Sequence, residues 1–314
     1  MTDGKYILEI SELEKHFGDK KVLNGVNLKI PEKKVFGFVG KNGAGKTTTM
    51  KSVLGLLEID KGEILVNGEK VTYGNTKTNR FVGYLPDVPE YYSFMTPKEY
   101  LKFCGEITGM KPDEISKRSG ELLELVGLGT EKHRIKGFSR GMKQRLGIAQ
   151  ALLNKPKLLI CDEPTSALDP VGRKEILDIL VAAKDETTIL FSTHILSDVE
   201  HICDEMALLN NGKIVLQGSI AEVKNKRRGN ALEIRLENPE DKNLLLEKVG
   251  KITPSDKKSM DERIKSTGPD SLLLYDEGLL PEILRFLADN SMPFIKIEKQ
   301  ESTLEDIFIE TIRN

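Results

Sequence analysis

The chain has 314 residues, which suggests about two domains, and 39% of them are hydrophobic. Its 47 Lys and Arg stand against 49 Asp and Glu, a net charge of −2, which excludes the global basic field that draws a protein to nucleic acid. Three scattered cysteines, Cys104, Cys161 and Cys203, exclude a disulfide framework and show no metal-ligand spacing, and no apolar run approaches the ~18 residues of a membrane span.

Met1 to Lys5 lacks the basic and apolar regions of a signal peptide, so the expectation is a soluble cytoplasmic chain whose membrane role comes through a partner. Tyr6 to Leu13 reads as a strand, and Val22, Val26, Leu28 and Ile30 mark a second amphipathic stretch ending at Pro31. Val35 to Val39 is the short apolar run of a buried parallel strand. It leads into Gly40-Lys41-Asn42-Gly43-Ala44-Gly45-Lys46-Thr47, a full match to G-x-x-x-x-G-K-[ST]. Beyond it Met50, Val53, Leu54 and Leu57 recur at helical spacing, so the loop opens a helix. Glycines let successive backbone N–H groups turn onto a phosphate, and the helix N-terminus adds partial positive charge. Lys46 adds a full charge, and the Thr47 hydroxyl suits Mg2+.

Gly62 to Val66 is a strand closed by the Asn67-Gly68 hairpin signal. From Thr96 to Leu153 helical periodicity takes over in Pro97–Thr108, Pro112–Val126 and Gly141–Leu153, an inserted helical subdomain spanning about residues 88–155. Leu158–Cys161, a helix over Val171–Ala183, and Thr188–Phe191 form a βαβ unit. Met206–Leu209 and Lys213–Leu216 flank the turn Asn210-Asn211-Gly212. Lys224 to Gly229 is basic and apolar-poor, and reads as a solvated linker or a lipid-headgroup or partner contact. Strands are expected over Ala231–Leu236, Leu272–Tyr275 and Phe294–Ile297. Helices are expected over Asp241–Val249, Leu279–Asp289 and Thr303–Ile312, making a small α+β domain. Charged Pro254 to Asp270 is expected to be a mobile loop. The fold class is therefore α/β of the phosphate-loop type over residues 1–222, a linker at 223–230, and the accessory domain at 231–314.

Three further stretches carry chemistry. Asp162 ends an apolar strand, where an acidic residue in phosphate-loop enzymes holds Mg2+, and Glu163 beside it suits orienting and deprotonating an attacking water. His194 follows the next core strand and so points to the ligand crevice. Ser139 reads as a helix N-cap, although a helix N-terminus with a free hydroxyl is also a phosphate site.

With these residues the chain resembles the ATP-binding subunit of an ABC transporter over about residues 5–220. The resemblance implies that Gly40 to Thr47, with Thr48, is the Walker A loop, and Leu158 to Asp162 is Walker B. Glu163 is then the catalytic carboxylate, Ser139 to Met142 the signature, Ser166 to Asp169 the D-loop and His194 the switch histidine. Phe17 matches the aromatic position that stacks on adenine, the alternative being a core aromatic. It also implies a head-to-tail dimer, with itself or a paralogous ATPase, in which each ATP lies between one subunit's Walker A and the signature Ser139 and Gly141 of the other. Lys46, Glu163 and His194 would promote hydrolysis, with Thr47, Asp87 and Asp162 as metal ligands.

This sequence departs from the family pattern at three places. The signature reads Phe138-Ser139-Arg140-Gly141-Met142, with Arg140 where glycine is usual, and its guanidinium would reach phosphate across the dimer or, preferably, be solvated. Asp87 stands where the Q-loop glutamine is expected and would keep its link to the metal. Lys41 replaces a common proline and adds positive charge. Together with the extra C-terminal domain, these features resemble exporters of drugs, antibiotics or peptides that act with a separate membrane permease. Two rival readings stay open: an ABC ATPase acting on nucleic acid or the ribosome, and a nucleotide-dependent regulator with little turnover.

Overall fold

The computed structural model describes residues 6–226, 231–251, 263–300 and 303–313. Burial sorts its strands into two kinds. Strands β1 (Tyr6–Phe17) and β2 (Lys20–Pro31) mix buried with exposed positions, whereas β3 (Val35–Val39) is buried throughout. The first pattern suits a sheet with one face on the core, the second a parallel strand covered on both faces. The phosphate loop leads into α1 (Lys46–Val53), which ends before the helical spacing that reached Leu57, because Gly55 adopts positive φ and turns the chain. Then come β4 (Lys61–Val66), β5 (Glu69–Lys70) and β6 (Val82–Leu85). Asn67 and Gly68 both take positive φ, the geometry of a tight hairpin turn.

The helical insertion comprises α2 (Pro97–Ile107), α3 (Pro112–Leu125) and α4 (Arg140–Leu152). Helix α2 starts in a capping box, with the Thr96 side chain accepting from Glu99 N and Glu99 accepting from Thr96 N, and Pro97 follows the cap. The chain continues through β7 (Leu158–Asp162), α5 (Pro170–Ala183), β8 (Thr188–Thr193), α6 (Leu196–Ile202), β9 (Glu205–Asn210), β10 (Lys213–Ser219) and α7 (Ile220–Lys226).

The antiparallel sheet has the order β2-β1-β4-β5, and the core sheet β10-β9-β3-β8-β7-β6. Within the core sheet β3, β6, β7, β8 and β9 run parallel and only β10 is antiparallel. One hydrophobic core joins the two sheets through Leu8, Ile10, Leu28, Phe36, Phe38, Met50, Ile160 and Leu190. Burying each such side chain is worth about 1.5–3 kcal/mol. The parallel register then brings the C-terminal ends of β3, β7 and β8 side by side, where α/β sheets place ligands.

Backbone contacts divide the chain into Met1–Ile220 and Ala221–Asn314. The second unit contains β11 (Ala231–Leu236), α8 (Pro239–Lys251), β12 (Ile264–Ser266), β13 (Ser271–Leu274), α9 (Leu280–Asp289), β14 (Phe294–Gln300) and α10 (Leu304–Arg313). Its antiparallel sheet runs β12-β13-β11-β14, and Leu245, Val249, Ile283 and Leu287 of its helices share a core with Ile234, Leu236, Leu272 and Leu274.

Two expectations change. Residues 223–226 of the expected linker continue helix α7, and 227–230 lie outside the described residues. Of the expected loop Pro254–Asp270, residues 254–262 also lie outside them, but Ile264–Ser266 forms strand β12 against β13. Ile264 is buried in the core, and that burial outweighs the charged composition around it.

Candidate functional site

Asn42, Gly43, Gly45, Lys46, Thr47 and Thr48 line a cavity of about 460 Å3, together with Asp87, Asp162, Glu163 and His194. That volume is in the range of small-molecule sites. The loop is shaped by its glycines. Gly40 lies so close to β9 that a Cβ there would stand 2.6 Å from the Leu209 carbonyl oxygen. Gly45, at φ +113°, caps α1 and supplies no side-chain acceptor. The first N–H groups of α1 have no acceptor within the helix and lie where an anion binds. Ala44 N donates to Lys41 O at 3.1 Å, which closes the turn.

Lys46 is 5% exposed; its Nζ donates to Gly40 O at 2.6 Å and lies 3.1 Å from Glu163 Oε1. The Lys46–Glu163 contact is an ion pair without hydrogen-bond geometry, so Oε1 remains a buried oxygen with no donor. Glu163 Oε2 lies 2.9 Å from His194 Nδ1. Glu163 itself takes φ +49°, an unusual conformation for a side chain of this size and of the kind concentrated at functional sites.

Asp162 is 3% exposed and both of its oxygens are engaged. Thr47 Oγ1 donates to Oδ2 at 2.8 Å, and Ser192 Oγ donates to Oδ1 at 2.6 Å. A buried carboxylate beside a hydroxyl is the oxygen donor set of a hard divalent cation, so these residues fit Mg2+. Among the described residues no three His, Cys, Asp or Glu side chains form a metal cluster, so such an ion would complete its shell from water and phosphate. Burial, then the charges of Asp162 and Asp87, push the Tyr84 phenol up to about 12. Burial also raises Asp87, where Arg140 opposes and Asp162 and Glu163 reinforce the shift.

The other expected site residues lie elsewhere. Phe17 is 49% exposed at the end of β1, which rules out a core aromatic, and it pairs across the ladder with Lys20, a cavity-lining residue. Ser139 caps α4, its hydroxyl accepting from Met142 N at 3.2 Å, and neither Ser139 nor Gly141 lines the cavity of its own chain. Arg140 is not simply solvated as expected, since its Nη2 donates to Asp87 Oδ1 at 3.1 Å.

Sequence reasoning missed two residues. Ser192 is fully buried opposite Asp162 in the β7–β8 register and also accepts from Glu163 N at 3.0 Å. The only signal was its place two residues before His194. Asp198, on α6, is also buried; it accepts from Thr165 Oγ1 at 2.9 Å and from Arg173 Nε, which ties the segment after Glu163 to α5 and α6.

Residues 23–166 match the ABC transporter family. The protein named "Uncharacterized ABC transporter ATP-binding protein YxlF" of Bacillus subtilis is 43% identical over 73% of this chain and 76% of its own length. The "Bacitracin transport ATP-binding protein BcrA" of Bacillus licheniformis is 34% identical over 98% of this chain and 97% of its own length. The solved structure of "cbiO1 from clostridium perfringens: Part of the ABC transporter complex cbiONQ" matches with a TM-score of 0.65 at 31% identity, covering 78% of this chain and 98% of that one. With a phosphate loop, a strand-end carboxylate pair and relatives matched nearly end to end, the chain belongs to the ABC transporter ATP-binding proteins, ATPases whose hydrolysis serves transport.

Proposed function

We propose that this chain is the MgATP-hydrolysing subunit of an exporter of a drug, antibiotic or peptide, working with a separate membrane permease. The observation that carries the reading is the meeting of Lys46, Thr47, Asp162, Glu163 and His194 in one cavity at the end of the parallel sheet. The bacitracin transport role in the name of a relative matched over 98% of this chain supports the exporter class. Among the described residues no helix is long and apolar enough to cross a membrane, which agrees with a membrane path supplied by a partner.

In this reading Lys46 and the N–H groups of Asn42 to Thr48 bind the phosphates, and Phe17 contributes an aromatic face for adenine. Mg2+, held by Thr47 and Asp162, would neutralise charge on the β- and γ-phosphates. Glu163, held by its contact with His194 Nδ1, orients a water and takes its proton as the water oxygen bonds to the γ-phosphorus. The bond from that phosphorus to the bridging oxygen breaks, and ADP and phosphate are released. Ser139, remote from its own chain's cavity, serves the γ-phosphate on a second subunit, arranged head to tail.

Two experiments test this. Co-purification should recover a membrane permease; recovery of nucleic acid instead would overturn the exporter reading. Mixed dimers of Ser139→Ala and Lys46→Ala chains should retain one productive site on the Ser139→Ala chain and therefore hydrolyse ATP, whereas each variant alone should not. Equal inactivity of the mixture would refute the composite site.

A further inference from the structure

The segment after β6 and the start of α4 meet at Asp87. This residue lines the cavity, and its carboxylate Oδ1 accepts from Arg140 Nη2 at 3.1 Å. Its backbone carbonyl accepts from Gln144 Nε2 at 2.7 Å. Arg140 and Gln144 stand four residues apart on α4 and so share a face of the helix. Gln144 is fully buried, which fixes the Asp87 backbone, while Arg140 governs the Asp87 side chain. Further along α4, Gly147 lies so near Leu85 that a Cβ would stand 2.4 Å from Leu85 Cδ1. Helix α4 therefore holds the chain from Leu85 to Asp87 at close range.

The charges give the pair a task. Asp87 shares its cavity with Asp162 and Glu163, and a bound triphosphate would bring several more negative charges. Arg140 does not line the cavity itself and meets Asp87 through Nη2. The pair is exposed, at 42% for Arg140 and 46% for Asp87, so its loss should cost little stability.

We propose that Arg140 is a positioning residue for ATP binding: it holds and neutralises the Asp87 carboxylate, so that nucleotide affinity depends on the pair and not on either residue alone. The proposal rests on the reading of this cavity as the ATP site.

The test measures equilibrium binding of ATP and of ADP to the full chain in EDTA, which keeps metal ligation out of the readout. Arg140→Ala should weaken ATP about fivefold, the scale of one uncompensated charge in a well-solvated cleft shared with the phosphates. ADP should weaken less and the melting temperature should not move. Asp87→Asn alone, which leaves the Arg140 charge uncompensated, should tighten ATP, and the double variant should return to within about twofold of the wild type. An Arg140→Ala variant with unchanged ATP affinity, or a double variant as weak as Arg140→Ala, overturns the proposal. If the cavity is not the ATP site, the wild type should fail to bind ATP or Lys46→Ala should bind it as tightly as the wild type.

Discussion

Replacing Ser192 with alanine removes a hydroxyl that donates to Asp162 Oδ1 at 2.6 Å and accepts from Glu163 N at 3.0 Å. The Glu163 N–H keeps a second acceptor in the Ser192 carbonyl at 3.2 Å, so the main loss is the bond to the buried carboxylate. A hydrogen bond to a charged group contributes about 1.5–3 kcal/mol. At roughly 2–4 °C per kcal/mol for a unit of this size, the melting temperature should fall by about 3–12 °C. The same energy, felt where Asp162 and Glu163 must be aligned, should lower kcat/KM for ATP by about 10–100-fold. Thermal melting and steady-state ATPase assays on one preparation measure both. An alanine variant with the melting temperature and kcat/KM of the wild type would refute the role given to Ser192. A lowered melting temperature with unchanged kcat/KM would confine that role to stability.

Gly40→Ala should destabilise the fold by about 1–3 kcal/mol and weaken ATP binding, because the new Cβ meets a backbone carbonyl of β9 that cannot swing aside. Wild-type melting and affinity in that variant would contradict the close packing. The hydrogen bond from His16, then that from Lys15, holds the Asp60 carboxyl down at about 2. A depressed carboxylate adds stability that is fully present above its unfolded value of 3.8 and is lost as pH falls through about 2. Carboxyl NMR should find that midpoint, and His16→Ala should raise it; a midpoint near 4 in the intact protein would contradict the contact.

Most of the nucleotide core was legible because its signals are local. The run Val35 to Val39, the glycines and Lys46 of the loop, and the turn Asn67-Gly68 each state their conformation within a few residues. Helices α2 and α4 likewise carry Thr96 and Ser139 as caps at their starts. What escaped is long-range. Strand β12 has only three residues, and Ile264 is recognisable as core only once Leu274 lies opposite it. Ser192 acquires a role through the parallel register with Asp162, 30 residues away. Asp87 and Arg140 each read as an isolated departure from the family pattern, and their 53-residue separation hid the ion pair that joins them. Residues 224–226 carry a basic composition suited to a linker, yet they extend a helix whose Val223 is buried.

In the proposed reaction Glu163 takes the proton of the attacking water at a site where Lys46 and Thr47 bind ATP. Glu163→Gln keeps the shape of the side chain and removes its basicity, so the most direct measurement follows the fate of ATP bound to that variant in a single turnover. ATP affinity should stay near that of the wild type while hydrolysis slows by about 100-fold or more, the scale of general-base catalysis. Conversion of bound ATP to ADP at the wild-type rate would contradict the role of Glu163.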